Sequence, residues 1–371
     1  MIDTILIGDC IEQLKTMETN SIDCCVTSPP YFGLRDYGHA GQIGLEETPE
    51  MFVAKMVEVF TEVRRVLKDE GTLWLNLGDS YAGSGKGSNS DGSVHISALN
   101  SKQGTHKGTI EGTKKPQKAT SIGLKSKDLI GIPWLVAFAL RQSGWYLRQD
   151  IIWSKPNPMP ESVTDRCTKS HEYIFLLSKS AKYYYDNEAI KTIVQDSTVQ
   201  RMLQDIENQK GSERVQGKTN GNMKAVGIGR NPRKGIDING GNQGSEKGIP
   251  AMAINGNGVK GHSGNFDNDG NLIGDGKANK RSVWTVTTKP FKEAHFATFP
   301  QELIVDCIKA GCPEKGIVLD PFFGSGTTGV VAKKLNRNYI GIELNPKYVA
   351  IAQARLYKEI GMFLTENIEA Q

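Results

Sequence analysis

A strand, a glycine-rich turn, a helix and a second strand ending in an acid follow one another over residues 316–343, with little chain beyond them. One such unit cannot build a sheet covered on both faces, so the remaining strands are expected from the N-terminal half. That half offers two short β-type runs, residues 4–8 and 22–27, which stop at Gly8-Asp9 and at Ser28-Pro29-Pro30-Tyr31. The fold must then bring the two ends of the chain together. Both N-terminal turns would meet the glycine-rich turn at the carboxyl edge of one sheet.

Between these ends the chain keeps alternating. Helical periodicity runs over residues 49–67, where Phe52, Met56, Val59, Phe60, Val63 and Val66 share a face, and Gly71 is expected to end that helix before a buried strand at 72–77. Further helices are expected at 11–17, 132–143, 189–207, 301–309, 328–335 and from Pro346, and further strands at 146–153, 172–177 and 339–342. This pattern predicts an α/β fold with a mostly parallel sheet. Two stretches interrupt it. Residues 83–126 are rich in Gly, Ser, Lys and Asn, and residues 210–280 carry repeated Asn-Gly steps at Asn220, Asn239 and Asn255. Neither holds enough large apolar side chains to offset the entropy of ordering it, so a mobile basic loop and a loop-rich insertion are expected. The boundaries fall at 1–185, 186–282 and 283–371.

Composition excludes more than it selects. No apolar run approaches a membrane span and the N-terminus lacks a basic signal-like start, so a soluble cytoplasmic protein is expected. The net charge of +4, from 45 basic and 41 acidic residues, is too small to argue for nucleic acid by itself. The six cysteines have no metal-ligand spacing; no metal site is expected, and buried reduced thiols are.

Gly324-Ser325-Gly326-Thr327-Thr328-Gly329 fits G-x-G-x-x-G between a strand and a helix, and Glu343 lies 343 − 324 = 19 positions after the first glycine. The glycines let the backbone turn sharply and a ligand come close, and an acid at the next strand tip can accept from ribose hydroxyls. A nucleoside-binding crevice follows; a dinucleotide such as NAD fits this feature taken alone. Asp320 and the aromatic Phe322 stand beside the turn. In the N-terminal turn the prolines fix the backbone and leave carbonyls unpaired, so the Pro29 carbonyl and the Ser28 hydroxyl can accept from a planar amine. The Tyr31 ring offers a face for stacking a base, a contact worth about 1–3 kcal/mol. A proline-rich turn with a core tyrosine fits the same four residues.

Taken together, Thr27 to Tyr31 and Asp320 to Gly329 resemble the catalytic and cofactor motifs of S-adenosylmethionine-dependent DNA methyltransferases that modify exocyclic amines. Their order resembles the permuted beta group of that family. The resemblance implies a Rossmann-like methyltransferase sheet, circularly permuted, with the second Gly-rich stretch standing as a target-recognition insertion. It implies S-adenosyl-L-methionine as cofactor, held by Asp320, Phe322, Gly324, Ser325, Gly326, Thr327 and Thr328. Gly8-Asp9-Cys10 resembles the segment whose carboxylate contacts the adenine, Glu343 falls where the ribose is bound, and His295, Phe299 and Pro300 lie in a run resembling the segment at the methionine end. His171 to Phe175 resembles a strand flanking an extruded base.

The catalytic residues implied are Ser28, Pro29, Pro30 and Tyr31, acting by direct in-line transfer onto an extruded base. Ser before Pro-Pro-Tyr is associated in that family with the N4 amine of cytosine, and Asp or Asn with the N6 amine of adenine, so cytosine is expected and adenine is the alternative. The implied partner is double-stranded DNA, contacted by basic loops (Lys86, Lys102, Lys107, Lys114, Lys115, Lys118, Lys125 and Lys127; Lys224, Arg230, Arg233 and Lys234). A cognate restriction endonuclease, or none, and a homodimer are left open. Arg35-Asp36-Tyr37 is expected at the pocket mouth. The competing readings are an RNA or protein methyltransferase, disfavoured by motif order, and a DNA-binding protein without chemistry, disfavoured by the intact Ser28, Tyr31, Asp320 and Glu343.

Overall fold

The computed structural model describes residues 2–33, 41–82, 123–194, 277–289 and 299–361. Contacts divide the chain into one unit of Met1–Ile190 with Arg281–Gln371 and a second of Lys191–Lys280. In the first, strands β1 (Thr4–Ile7), β2 (Ile22–Thr27), β3 (Leu67–Leu77), β4 (Tyr146–Ser154), β5 (His171–Ser178), β8 (Val283–Thr285), β9 (Ile317–Asp320) and β10 (Asn338–Glu343) form one sheet. Its order is β1-β10-β9-β2-β3-β5-β4-β8. Every neighbouring pair is parallel except the two made by β5, which runs against both β3 and β4. The C-terminal β9 and β10 are inserted between β1 and β2, so the two ends of the chain share one sheet. In the second unit, β6 (Thr192–Ile193) pairs antiparallel with β7 (Lys277–Ala278).

Alternation along the strands builds the two faces. Leu73, Leu75 and Leu77 of β3, with Phe175 and Leu177 of β5, join one core with helices α1 (Cys10–Thr16), α2 (Pro49–Val66) and α3 (Ile132–Gln142). Trp74, Ile174 and Leu176 point the other way, into a core with α4 (Gln301–Gly311), α5 (Thr327–Lys334) and α6 (Pro346–Ile360). The result is a three-layer Rossmann-like sheet with helices on both faces. Caps set the helix starts. Asp9 accepts from the amides of Ile11 and Glu12 to open α1, and Thr48 accepts from Met51 to open α2, with Pro49 in its first turn.

Two elements depart from expectation. Helix α2 stops at Val66, before Gly71, because β3 already begins at Leu67. Lys68, Asp69 and Glu70 form an exposed irregularity in that strand, where the register with β2 jumps from Ile22↔Leu67 to Cys24↔Thr72. The Glu70 carbonyl accepts from Tyr184, and a Cβ on Gly71 would lie 2.9 Å from the Lys68 carbonyl oxygen. Gly71 therefore serves close packing. The helix expected from residue 189 is a single 3₁₀ turn, Glu188–Ile190, followed by β6, where the β-branched Thr192 and Ile193 favour an extended chain. The rest of that expected helix, the Asn-Gly steps, Arg35-Asp36-Tyr37 and all the loop lysines and arginines except Lys125 and Lys127 lie outside the described residues. Lys127 pairs with Asp165 at 2.6 Å. Among the described residues no helix is long and apolar enough to cross a membrane.

Candidate active site

The parallel strands end along one edge. There β1 delivers Gly8-Asp9, β2 delivers Ser28, β3 delivers Gly78-Asp79, and β9 and β10 deliver Asp320 and Glu343. Because β5 runs the other way, its first residues, His171 and Glu172, arrive at the same edge.

Asp320 ties the two sequence motifs together. Its carboxylate is buried; one oxygen accepts from the Thr27 hydroxyl at 2.6 Å and from the Phe322 amide at 3.0 Å, the other from the Thr328 hydroxyl at 2.6 Å. Thr27 is the last residue of β2, immediately before Ser28, and Thr328 lies in the first turn of α5. Burial pushes the Asp320 carboxyl up to about 6, against the pull of these three donors and with a smaller push from Glu343.

The glycine-rich turn is held from beneath. Gly324 and Gly326 take φ of 53° and 77°, a left-handed region that disfavours other residues. Among the described residues a Cβ on Gly324 would meet nothing nearer than the Phe322 carbonyl oxygen at 3.9 Å, which leaves room for a ligand, whereas at Gly326 it would lie 3.0 Å from the Ala352 Cβ. The buried Arg355 of α6 donates to the Ser325 carbonyl (3.3 Å) and hydroxyl (3.1 Å) and to the Thr327 hydroxyl (2.9 Å). The hydroxyls of Ser325, Thr327 and Thr328 are thus engaged in holding the turn. Glu343 accepts from the Gly324 amide at 2.8 Å through one oxygen and from the Asn345 amide at 2.8 Å through the other, which fixes the carboxylate at the strand tip beside the turn. Open backbone at Gly324 with a carboxylate at the neighbouring tip suits a nucleoside cofactor.

Other expected residues take their places around this edge. Gly8 donates its amide to the Glu343 carbonyl at 3.0 Å, bringing Asp9 and Cys10 beside the β10 tip. Burial, followed by the Asp9 charge, pushes the Cys10 thiol up to about 12. Pro300 caps α4, and half-buried Phe299 packs on the core that includes Phe323; Phe322 packs on the opposite core. His295 lies outside the described residues.

In the N-terminal turn Pro29 is buried while Ser28, Pro30 and Tyr31 are half-exposed. The Tyr31 ring lies against Gly78, where a Cβ would come within 2.5 Å of it, and its hydroxyl donates to Glu172 at 2.7 Å. Sequence reasoning missed Asn76, Lys155 and Arg355 as contributors, and placed Glu172 only within the strand flanking an extruded base. A lone asparagine in the apolar run Leu73–Leu77 was a usable signal; an arginine on an amphipathic helix is ordinarily solvated and carried none. Asp79 accepts from the amides of Gly131 (3.0 Å) and Ile132 (3.1 Å) and so anchors the start of α3. Of the six cysteines, Cys167 is exposed and the rest are buried, with Cys24, Cys25 and Cys312 raised by burial. Raised by burial, Cys10, Cys24, Cys25 and Cys312 do not stand ready as thiolate nucleophiles.

A permuted Rossmann-like sheet with a glycine-rich turn and a Ser-Pro-Pro-Tyr turn at one edge is the architecture of an amino-methyltransferase. A family model described as DNA methylase, covering N6 and N4 enzymes, matches residues 22–354. The Type II methyltransferase M.SmaI of Serratia marcescens is 40% identical over 354 residues, covering 95% of this chain and 90% of that protein. M.Cfr9I of Citrobacter freundii is 40% identical over 362 residues, covering 96% and 88%. Among solved structures, PvuII DNA methyltransferase (cytosine-N4-specific) aligns over 100% of this chain and 89% of its own, with a TM-score of 0.54 and 16% identity, a likeness of fold. The chain belongs to the S-adenosylmethionine-dependent DNA amino-methyltransferases.

Proposed function

We propose that this enzyme methylates the exocyclic N4 amine of cytosine in double-stranded DNA, using Ser28, Pro29, Pro30 and Tyr31 on the base and the turn at Gly324, with Asp9 and Glu343, on the cofactor. The observation that carries the reading is the Thr27–Asp320–Thr328 bridge, which fixes the amine-binding turn against the cofactor turn. S-adenosylmethionine, when bound, supplies a methyl group on a cationic sulfur, so the chain needs no covalent nucleophile. Its residues position instead. The Ser28 hydroxyl and the Pro29 carbonyl accept from the amine and draw its lone pair out of conjugation with the ring. Tyr31 stacks on the base, whose extrusion costs a few kcal/mol. Glu343 takes the ribose hydroxyls and Asp9 the adenine amine.

Cytosine is favoured because Ser28 supplies a neutral hydroxyl where the resemblance associates a carboxylate or amide with adenine. The PvuII enzyme, similar in fold, is cytosine-N4-specific. The Type II designation of the relatives supports a cognate restriction endonuclease as a partner in the same cell. Residues 186–282 would choose the target sequence. The test is partition of tritium from methyl-labelled cofactor after incubation with unmethylated genomic DNA, RNA or protein. Label in deoxycytidine-derived nucleoside supports the reading, label in deoxyadenosine overturns the base, and label only in RNA or protein overturns the substrate.

A further inference from the structure

The hydroxyl of Tyr31 is built into a charged, partly buried network that base stacking alone does not require. It donates to Glu172 Oε2 at 2.7 Å, with a longer approach of 3.3 Å to Asn76 Oδ1. One hydroxyl carries one proton, and the shorter contact to a charged acceptor dominates. Asn76 is oriented by its own bonds, donating through Nδ2 to the Tyr173 carbonyl at 3.1 Å and to Glu172 Oε2 at 3.3 Å. The other Glu172 oxygen is ion-paired with Lys155, and the two side chains are only 14% and 17% exposed. Lys155 in turn sits 4.2 Å from the centre of the Trp153 ring. Asn76 comes from β3, Glu172 from β5, and Lys155 directly follows β4. Three strands converge on one phenol.

We propose that Glu172 is a positioning residue: it fixes the Tyr31 ring plane through the hydroxyl, while its ion pair with Lys155 holds the carboxylate in place. The inference rests on the reading of Tyr31 as the stacking face for the target base. The Cδ2–Cε2–Cζ side of the ring lies against Gly78, and tethering the hydroxyl at its far end restrains rotation of the ring about its Cβ. The ring is then preorganised before the base arrives, and the alignment of amine and methyl group depends on that. A buried ion pair adds little net stability by comparison with apolar replacements of similar size, so holding the phenol in a defined orientation is a better account of its presence at this edge.

The test compares single-turnover methyl transfer by Tyr31→Phe, Glu172→Gln, the double variant and Tyr31→Ala, together with cofactor affinity and melting temperature for each. Tyr31→Phe removes one oxygen and keeps the stacking ring. The hydrogen bond to a charged group is of the size that predicts transfer roughly tenfold slower or more, with unchanged cofactor affinity. Glu172→Gln should slow transfer similarly, and the double variant should be no slower than the slower single variant, since both break one contact. Multiplying effects, or a Tyr31→Phe enzyme as fast as wild type while Tyr31→Ala is crippled, overturns the inference and leaves the stacking reading intact. A Tyr31→Ala enzyme of full activity overturns the stacking reading itself. If Glu172→Gln fails to fold, because Lys155 is left unpaired, the paired change Lys155→Met with Glu172→Leu removes both charges together. It should fold and still transfer slowly, and wild-type transfer by that variant also overturns the inference.

Discussion

Replacing Asp320 by asparagine tests the link between the two halves of the site through its response to pH. Asparagine has the same shape: its Oδ1 can accept from Thr27 and Phe322, and its Nδ2 can donate to Thr328, whose hydroxyl has lone pairs to accept. What the change removes is the titrating proton. Burial raises the carboxyl from an ordinary 3.8 to about 6, so the folded state holds that proton more tightly than the unfolded chain. The associated stability is complete below 3.8 and is lost as pH rises through 6. Its full size, (6 − 3.8) × 1.36, is about 3 kcal/mol as an order of magnitude, and about 1 kcal/mol of it falls between pH 5 and pH 7. Denaturant unfolding of both proteins across that range should therefore show Asp320→Asn gaining on wild type by about 1 kcal/mol as pH rises. A difference that stays flat, or that moves toward wild type, would refute the reasoning, because it would mean the three donors outweigh burial and keep the carboxylate ionised throughout.

Glu343→Ala should weaken S-adenosylmethionine binding by roughly ten- to a hundredfold in calorimetry, since it loses hydrogen bonds to a charged group and frees the Gly324 amide it orients. Unchanged affinity would remove Glu343 from the cofactor site. Arg355→Met should cost about 3 kcal/mol of stability in denaturant unfolding and lower cofactor affinity together, because Arg355 braces the turn at Ser325 and Thr327. A stability loss with intact affinity would show that the turn does not form the cofactor site. A thiol reagent should modify one cysteine quickly in the native protein, and Cys167→Ser should abolish that reaction; fast reaction of further thiols would contradict the buried placement of Cys10, Cys24, Cys25, Cys307 and Cys312.

The sheet and the meeting of the chain ends were legible in the sequence because they rest on local rules. The run Ile22–Thr27, the apolar periodicity from Phe52 to Val66 and the strand–turn–helix unit around Gly324 each carry their signal locally. Gly71 misled because glycine reads as a helix stop, while its role depends on how close the Lys68 carbonyl comes, which is set by strand pairing with β2. The helix expected from residue 189 gives way at Thr192–Ile193, where β-branched residues pair as a strand with Lys277–Ala278, a partner far away in sequence. At the site, residue types suggested the roles proposed for Ser28 and Tyr31. Nothing in sequence spacing announced that Asp320 would accept from Thr27, or that Arg355 would reach Ser325, because those contacts exist only once β2, β9 and α6 are packed.

The central claim is that the two ends of this chain form one site that transfers a methyl group to cytosine. Its most direct test is mass spectrometry of nucleosides from unmethylated genomic DNA treated with S-adenosylmethionine and either wild-type protein or Ser28→Ala. The account predicts N4-methylcytosine from the wild type and a strongly reduced yield from the variant. N6-methyladenine in its place, or N4-methylcytosine formed equally well without the Ser28 hydroxyl, would contradict it.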